Sequence, residues 1–378
     1  MSVYLDFNAT TPLRPEARAA MLEVMSRTGN ASSVHRPGRD ARRRLEAARR
    51  DIAAALGAVP ENLVFTSGGT EADILALRGC GRQRILASAI EHPAVLEAVA
   101  GVERVPVLGT GQVDLEALDA MLLRPGPAAL VSVMWANNET GVIQPLDEVV
   151  VRARLRGALV HSDAIQAAGR EPVDFASSGL DMMSVSAHKL GGPPGIGALL
   201  VSDRVRLDPV VSGGGQERGR RSGTENLPGI AGFAAALGAA LRDSGEGERV
   251  RRLRDLLEDR IGDAAPGARF PGRDAPRLAN TSCIVMPGVA AETQVMALDL
   301  AGVAVSAGSA CSSGKVEASH VIAAMRAGND DARCAIRVSL GWTTGREDVE
   351  QLIDAWLALY NRAAPANGTG GAAASCPA

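Results

Sequence analysis

The chain has 378 residues, enough for two or three domains, and its 40 basic against 43 acidic side chains leave a formal charge of −3. That balance excludes general nucleic-acid binding, which needs a basic face, and a hydrophobic fraction of 46% with 22% charged residues excludes wholesale disorder. No apolar run reaches the roughly 18 residues of a membrane span, and the start, Met1-Ser2-Val3-Tyr4-Leu5-Asp6, lacks the basic and apolar regions of an export signal.

In chain order, the basic stretch Arg39–Arg50 interleaves its arginines with Asp40 and Glu46 at helical spacing, which predicts a solvated helix face. Asn62–Thr66 predicts a strand, followed by a Gly-rich turn and a helix over Glu71–Arg78. Short apolar strands are expected at Arg84–Ser88 and Val102–Val107, with a helix from about His92 to Ala100 between them. Ala128–Val133 and Ala158–His161 flank an amphipathic stretch from Pro145 to Arg156, and Asp181–Val185 and Ile196–Ser202 continue the alternation. Apolar strands alternating with helices imply an α/β fold with a mainly parallel sheet covered on both faces.

After a long, bent helical region over Glu225–Ile261 the pattern changes. Strands are expected at Leu278–Met286, Val303–Val305 and Ala335–Leu340, and helices at Glu292–Leu300 and Arg346–Tyr360. We read residues 15–250 as a large domain. Residues 1–14 with 251–362 form a smaller α+β domain, and residues 363–378 are a low-complexity tail expected to be disordered.

The five cysteines, Cys80, Cys283, Cys311, Cys334 and Cys376, are widely spaced and include no CxxC pair. This predicts a reducing cytoplasm and neither a disulfide framework nor a structural zinc site. GxxxxGK[ST], GxGxxG after a strand, HExxH and GxSxG are all absent, and the five histidines show no short metal-ligand spacing. No metal is expected.

Four motifs remain. Ser67-Gly68-Gly69-Thr70-Glu71 follows a strand, and small residues at a helix start leave backbone N–H groups free for a phosphate; an ordinary N-cap is the alternative. His161–Gln166 ends a strand, where a carboxylate such as Asp163 could hold a proton on a heteroaromatic nitrogen and Gln166 could reach a ring oxygen; a turn-capping Asp is the alternative. Ser184–Gly197 places Lys189 after an apolar strand and before a Gly/Pro-rich turn. Lys189 and Lys315 are the two lysines against 38 arginines, so a chemical role that arginine cannot fill, a Schiff base, is the reading preferred over a surface lysine. Ser306–Gly314 sets Cys311 among small residues, as a reactive thiol needs, although a semi-buried structural thiol would also fit. A lysine, a phosphate cradle and an acidic ring partner without a nucleotide motif point to pyridoxal 5′-phosphate (PLP).

The blocks Tyr4–Thr11, Asn30–His35, Phe65–Asp73, Glu91–Val95, Trp135–Gly141 (WANNETG), His161–Gln166, Ser186–Lys189, Gly213–Asn226 (GGGQERGRRSGTEN), Ser306–Ser313 and Ile336–Gly341 occur in one order. In these the chain resembles the NifS/IscS-type cysteine desulfurases, within the class V branch of fold-type I PLP enzymes. The resemblance covers all but the tail. It implies that Lys189 forms the Schiff base and moves the substrate Cα proton. His92 would stack on the cofactor ring and assist proton transfers, Asp163 would pair with the ring nitrogen, and Gln166 would contact the ring hydroxyl. Gly69, Thr70, Ser186 and His188 would bind the phosphate, with Thr224 reaching in from the other subunit of a homodimer. Asn138 and Arg337 would hold the substrate carboxylate, and Cys311 would take the sulfur from L-cysteine as a persulfide, leaving L-alanine. A longer active-site loop around Cys311 suggests delivery to a protein acceptor such as an iron–sulfur scaffold. Pro194 stands where the family pattern leads one to expect a lysine. A selenocysteine lyase or class V aminotransferase would share the lysine, the aspartate and the phosphate site.

Overall fold

The computed structural model describes residues 2–308, 318–325 and 329–363, with the backbone alone at 329 and 330. Cys311 and the tail beyond Ala363 lie outside the described residues. Twelve strands are described: β1 Val3–Tyr4, β2 Leu63–Thr66, β3 Arg84–Ser88, β4 Glu103–Val105, β5 Ala129–Ser132, β6 Leu159–Asp163, β7 Met182–Ser186, β8 Gly197–Val201, β9 Thr281–Val285, β10 Val303–Ala304, β11 Ser306–Ala307 and β12 Ala335–Ser339.

Seven of them form one sheet in the order β2-β8-β7-β6-β5-β3-β4. The pairs from β7 to β4 are parallel, and β8 runs antiparallel to both its neighbours. Every residue of β5, β6 and β7 is buried, as strands covered on both faces require. Alternate side chains feed opposite cores: Val131 and Val160 pack with Leu45 and Phe233 on one face, Leu130 and Leu159 with Leu75 and Leu199 on the other. Because β8 alone runs backwards, the carboxyl ends of β2, β3, β5, β6 and β7 share one edge, the ligand-binding edge of an open α/β sheet.

A three-stranded antiparallel sheet, β11-β12-β9, and the parallel pair β1-β10 build on a separate core of Leu5, Leu257, Ile284, Val338 and Trp356. The N-terminal residues therefore pair with Val303 and Ala304 from far along the chain.

Several local expectations change. The region 225–261 is two helices, Leu227–Arg242 and Glu246–Ala264, separated around Asp243-Ser244-Gly245, where Asp243 leaves helical ψ. The helix expected from His92 is one short turn, Pro93–Leu96. Helices at Pro15–Met25 and Leu115–Leu122 add to the elements expected from the sequence. Arg39–Arg50 does lie on a helix, Arg36–Ala55, and Arg43 is exposed. Arg49 is the exception to the solvated face: it is buried and pairs bidentately with Glu217 at 2.8 Å. The Glu217 carboxylate also accepts from Phe65 N (2.9 Å), so the pair clips the helix to β2 and explains why Glu217 tolerates a left-handed backbone (φ 48°). Among the described residues, no helix is long and apolar enough to cross a membrane.

Candidate active site

At the carboxyl edge of the large sheet lies a cavity of about 350 Å³. Gly69, Thr70, His92, Asn138, Asp163, Gln166, Ser186, His188, Lys189 and Arg337 all line it. Thr224 does not: it is exposed beside Ser67 and Arg221, in a separate cavity of about 90 Å³. Cys311 lies outside the described residues.

Lys189 closes the single 3-10 turn Ala187–Lys189 that follows β7. Its Nζ donates to the carbonyls of Asn8 (2.6 Å) and Ala9 (2.8 Å), and its own carbonyl accepts from Thr11 Oγ1 (2.8 Å). Burial, then the cations Arg337 and Arg170, bring its amine down to about 8, against the opposing pull of Asp163 and Asp6. The glycines after it serve close packing: a Cβ on Gly192 would lie 2.8 Å from Ala187 Cβ, and Gly191 has φ +92°. Pro194 is exposed, so a charge at this position would face solvent.

The helix Gly69–Gly79 begins at Gly68 without a side-chain cap, which leaves its first N–H groups open. A Cβ on Gly69 would lie 2.1 Å from Ile165 Cδ1, so glycine lets the helix start pack against the loop after β6 at the cavity wall. Beside it, Ser186 Oγ is buried without a hydrogen-bond partner.

Asp163, the last residue of β6, is 6% exposed and accepts from Ile165 N (2.8 Å). Burial raises its carboxyl to about 6, with the Ile165 N–H and Lys189 pulling it back down. His92 caps the short turn after β3, its Nδ1 accepting from Ala94 N (3.1 Å), so the neutral ring carries its proton on Nε2. Burial, Lys189 and His320 lower this imidazole to about 4. The ring is therefore uncharged at pH 7.

Asn137 builds the WANNETG turn. Its Oδ1 accepts from Glu139 N, Thr140 N and Thr140 Oγ1, while its Nδ2 donates to Ile90 O (3.1 Å). That turn presents Asn138, whose carbonyl accepts from Arg337 Nη1 (3.2 Å). Arg337 Nη2 donates to Asp6 Oδ1 (2.8 Å), and its Nε is buried without a partner. Gln166 Nε2 donates to Asn8 O (3.1 Å).

Sequence reasoning missed Asn8, Asp73, Glu139 and His320, which also line the cavity. Asp73 is buried with both oxygens unpartnered, and burial, then Asp163 and Glu91, push its carboxyl well above the usual range. His161 Nε2 lies 3.6 Å away, but burial holds that ring down near 3 and it is neutral, bonded between Ser132 and Ser184. Asp73 ends the block Phe65–Asp73, two residues after the motif Ser67–Glu71; an acidic residue one helical turn inside an apolar helix is the available signal.

These residues fit PLP. The uncapped helix start, the Gly69 cradle and the orphan Ser186 hydroxyl suit a phosphate, Asp163 suits a ring nitrogen, and the neutral-leaning amine of Lys189 suits an aldehyde. Among the described residues no His/Cys/Asp/Glu group could hold a metal ion.

Residues 3–352 match the aminotransferase class-V family. A cysteine desulfurase of Cereibacter sphaeroides is 46% identical over 368 residues, covering 93% of this chain and 94% of that protein. An IscS-like cysteine desulfurase of Mycobacterium tuberculosis is 43% identical over 370 residues, covering 93% and 94%. The solved structure of a NifS-like protein from Rickettsia africae superposes with a TM-score of 0.90 at 34% identity, covering 96% of this chain and all of the other. The chain therefore belongs to the class-V aminotransferase family and, within it, to the PLP-dependent cysteine desulfurases.

Proposed function

We propose that this desulfurase moves sulfur from L-cysteine onto Cys311 and releases L-alanine. The observation that carries the reading is one cavity in which the buried Lys189 amine, Asp163 and Arg337 converge. When bound, PLP supplies the electron sink that makes the substrate Cα–H acidic. Lys189, uncharged above about pH 8, takes the proton from Cα and returns it. Asp163, once ionised, would hold a proton at the ring nitrogen of the cofactor. His92 would face the cofactor as a neutral imidazole able to donate from Nε2. Gln166 would serve the ring hydroxyl, and Gly69, Thr70, Ser186 and His188 would hold the phosphate. Arg337 and Asn138 orient the substrate carboxylate.

The Cys311 thiolate attacks the substrate sulfur. A new S–S bond forms, the substrate Cβ–S bond breaks, and the carbon skeleton takes up protons to leave as L-alanine. No external oxidant or reductant is needed. A selenocysteine lyase or class V aminotransferase is not favoured, because relatives 42–46% identical to this chain are named cysteine desulfurases.

The exposed position of Thr224 supports a homodimer in which Thr224 completes the partner's phosphate site. The separate cores support a division into a large domain, residues 15–250, and a small one, residues 1–14 with 251–362, except that Val250, on the helix Glu246–Ala264, packs in the small core. We place the enzyme in the cytoplasm, passing sulfur to a protein acceptor such as an iron–sulfur scaffold. Intact mass after L-cysteine without reductant, with alanine counted in the same tube, tests the reaction. One added sulfur on Cys311 matched by alanine is the expected result. A yellow protein that gains no sulfur and makes no alanine overturns it. Cys311→Ser should keep the colour and lose the added sulfur.

A further inference from the structure

Arg170 lies just past the His161–Gln166 block and does not line the cavity that holds the lysine amine. It sits behind Lys189, where both residues line a second cavity of about 390 Å³. Its Nη1 donates to Asn8 Oδ1 (3.0 Å), Gln166 O (3.2 Å) and Gln166 Oε1 (2.5 Å). Its Nη2 donates to Lys189 O (3.0 Å) and Phe7 O (3.4 Å). Every acceptor is neutral. Glu246, the acid that acts on Arg170, is committed to Arg14 at 2.6 Å.

The acceptors are not independent. Asn8 O receives both Lys189 Nζ (2.6 Å) and Gln166 Nε2 (3.1 Å), and Asn8 Oδ1 also receives Asn280 Nδ2 (2.9 Å). One planar guanidinium thus ties three distant segments together: the N-terminal stretch, the loop after β6 and the lysine turn. A rigid fork can do this with little loss of rotamer freedom, whereas an ammonium cannot span the same acceptors. A cation without a carboxylate partner also acts on whatever charge forms nearby. Arg337 and Arg170 repel a charged Lys189, Asp163 and Asp6 attract it, and His92 and His188 are neutral, each lowered to about 4.

We propose that Arg170 is a positioning residue of this active site: its guanidinium clasps Lys189, Gln166 and Asn8 in one arrangement and supplies unpaired positive charge behind the lysine amine. The role deepens the reading of Lys189 as the cofactor lysine and rests on it.

The test is amine-reactive labelling across pH on the full chain stripped of PLP, read by peptide mass spectrometry. The sequence makes this clean, since Lys189 and Lys315 are its two lysines and the second is the reference. Wild-type Lys189 should reach half-maximal labelling near pH 8. Arg170→Met should move that midpoint up by about one unit, the size of a close charge interaction, and leave Lys315 alone. An unmoved midpoint in folded Arg170→Met overturns the proposed charge effect. Arg170→Lys keeps the charge and loses the fork. It should show the wild-type midpoint but bind PLP about tenfold more weakly in a titration of the visible band. Arg170→Lys with wild-type PLP affinity overturns the clasp, and this variant decides the matter if Arg170→Met does not fold. A wild-type chain that binds no PLP instead removes the cofactor reading, and the labelling midpoints still decide the charge effect.

Discussion

Arg337 and Asp6 form an ion pair, Nη2 to Oδ1 at 2.8 Å, with the arginine side chain 4% exposed. The pair joins β12 to the segment after β1, which also bridges β12 at Ser339. Arg337 serves Asp6 through Nη2 and Asn138 O through Nη1, which leaves the buried Nε without a partner. A lysine at this position would offer a point charge without the planar fork. Arg337→Lys is therefore expected to raise KM for L-cysteine more than tenfold with a smaller effect on kcat. The visible band of the bound cofactor should be unchanged, and steady-state kinetics with an absorption spectrum check both.

Lys189 carries a cost to stability in the cofactor-free chain. Its amine lies at about 8 in the fold, against about 10.4 unfolded. Below pH 8 both states hold the proton, and the fold bears the full penalty of a buried ammonium. Between about 8 and 10.4 the unfolded chain holds more protons, so stability rises with pH and the penalty is relieved. Lys189→Met, stripped of cofactor, is expected to be more stable than wild type by about 3 kcal/mol at pH 7, a gap that closes toward pH 10. Thermal unfolding of the two proteins at several pH values measures it.

His92 is neutral throughout the working range, with Nδ1 occupied by Ala94 N and its pKa near 4. His92→Gln is expected to lower kcat by about a hundredfold. It should leave any acidic limb of the pH–rate profile between pH 5.5 and 8 where it is. A limb that disappears with the substitution would show that the imidazole titrates there.

Arg49 and Arg43 share one basic stretch but not one environment. Arg49→Gln removes one partner of a buried pair and leaves the Glu217 carboxylate uncompensated. It is expected to cost about 3–5 kcal/mol, seen as a lowered melting temperature. Arg43 is 75% exposed, and Arg43→Gln is expected to leave the melting temperature unchanged.

Much of the candidate site was legible in the sequence because it rides on local pattern. A lysine after an apolar strand, glycines at a helix start and an aspartate at a strand end are each a short-range signal, and Lys189, Gly69 and Asp163 were readable for that reason. The same locality set the alternation of strands and helices that implies a mainly parallel sheet. Tertiary structure alone decided which distant residues answer one another. Asp6 meets Arg337 across 331 positions, Asn8 receives the Lys189 amine across 181, and Arg49 finds Glu217 across 168. No periodicity encodes such pairings, since they depend on how the two cores pack. Burial is likewise a property of the packed whole. It places His92 near 4 and Lys189 near 8, and so sets the protonation states with which a readable set of residues would act.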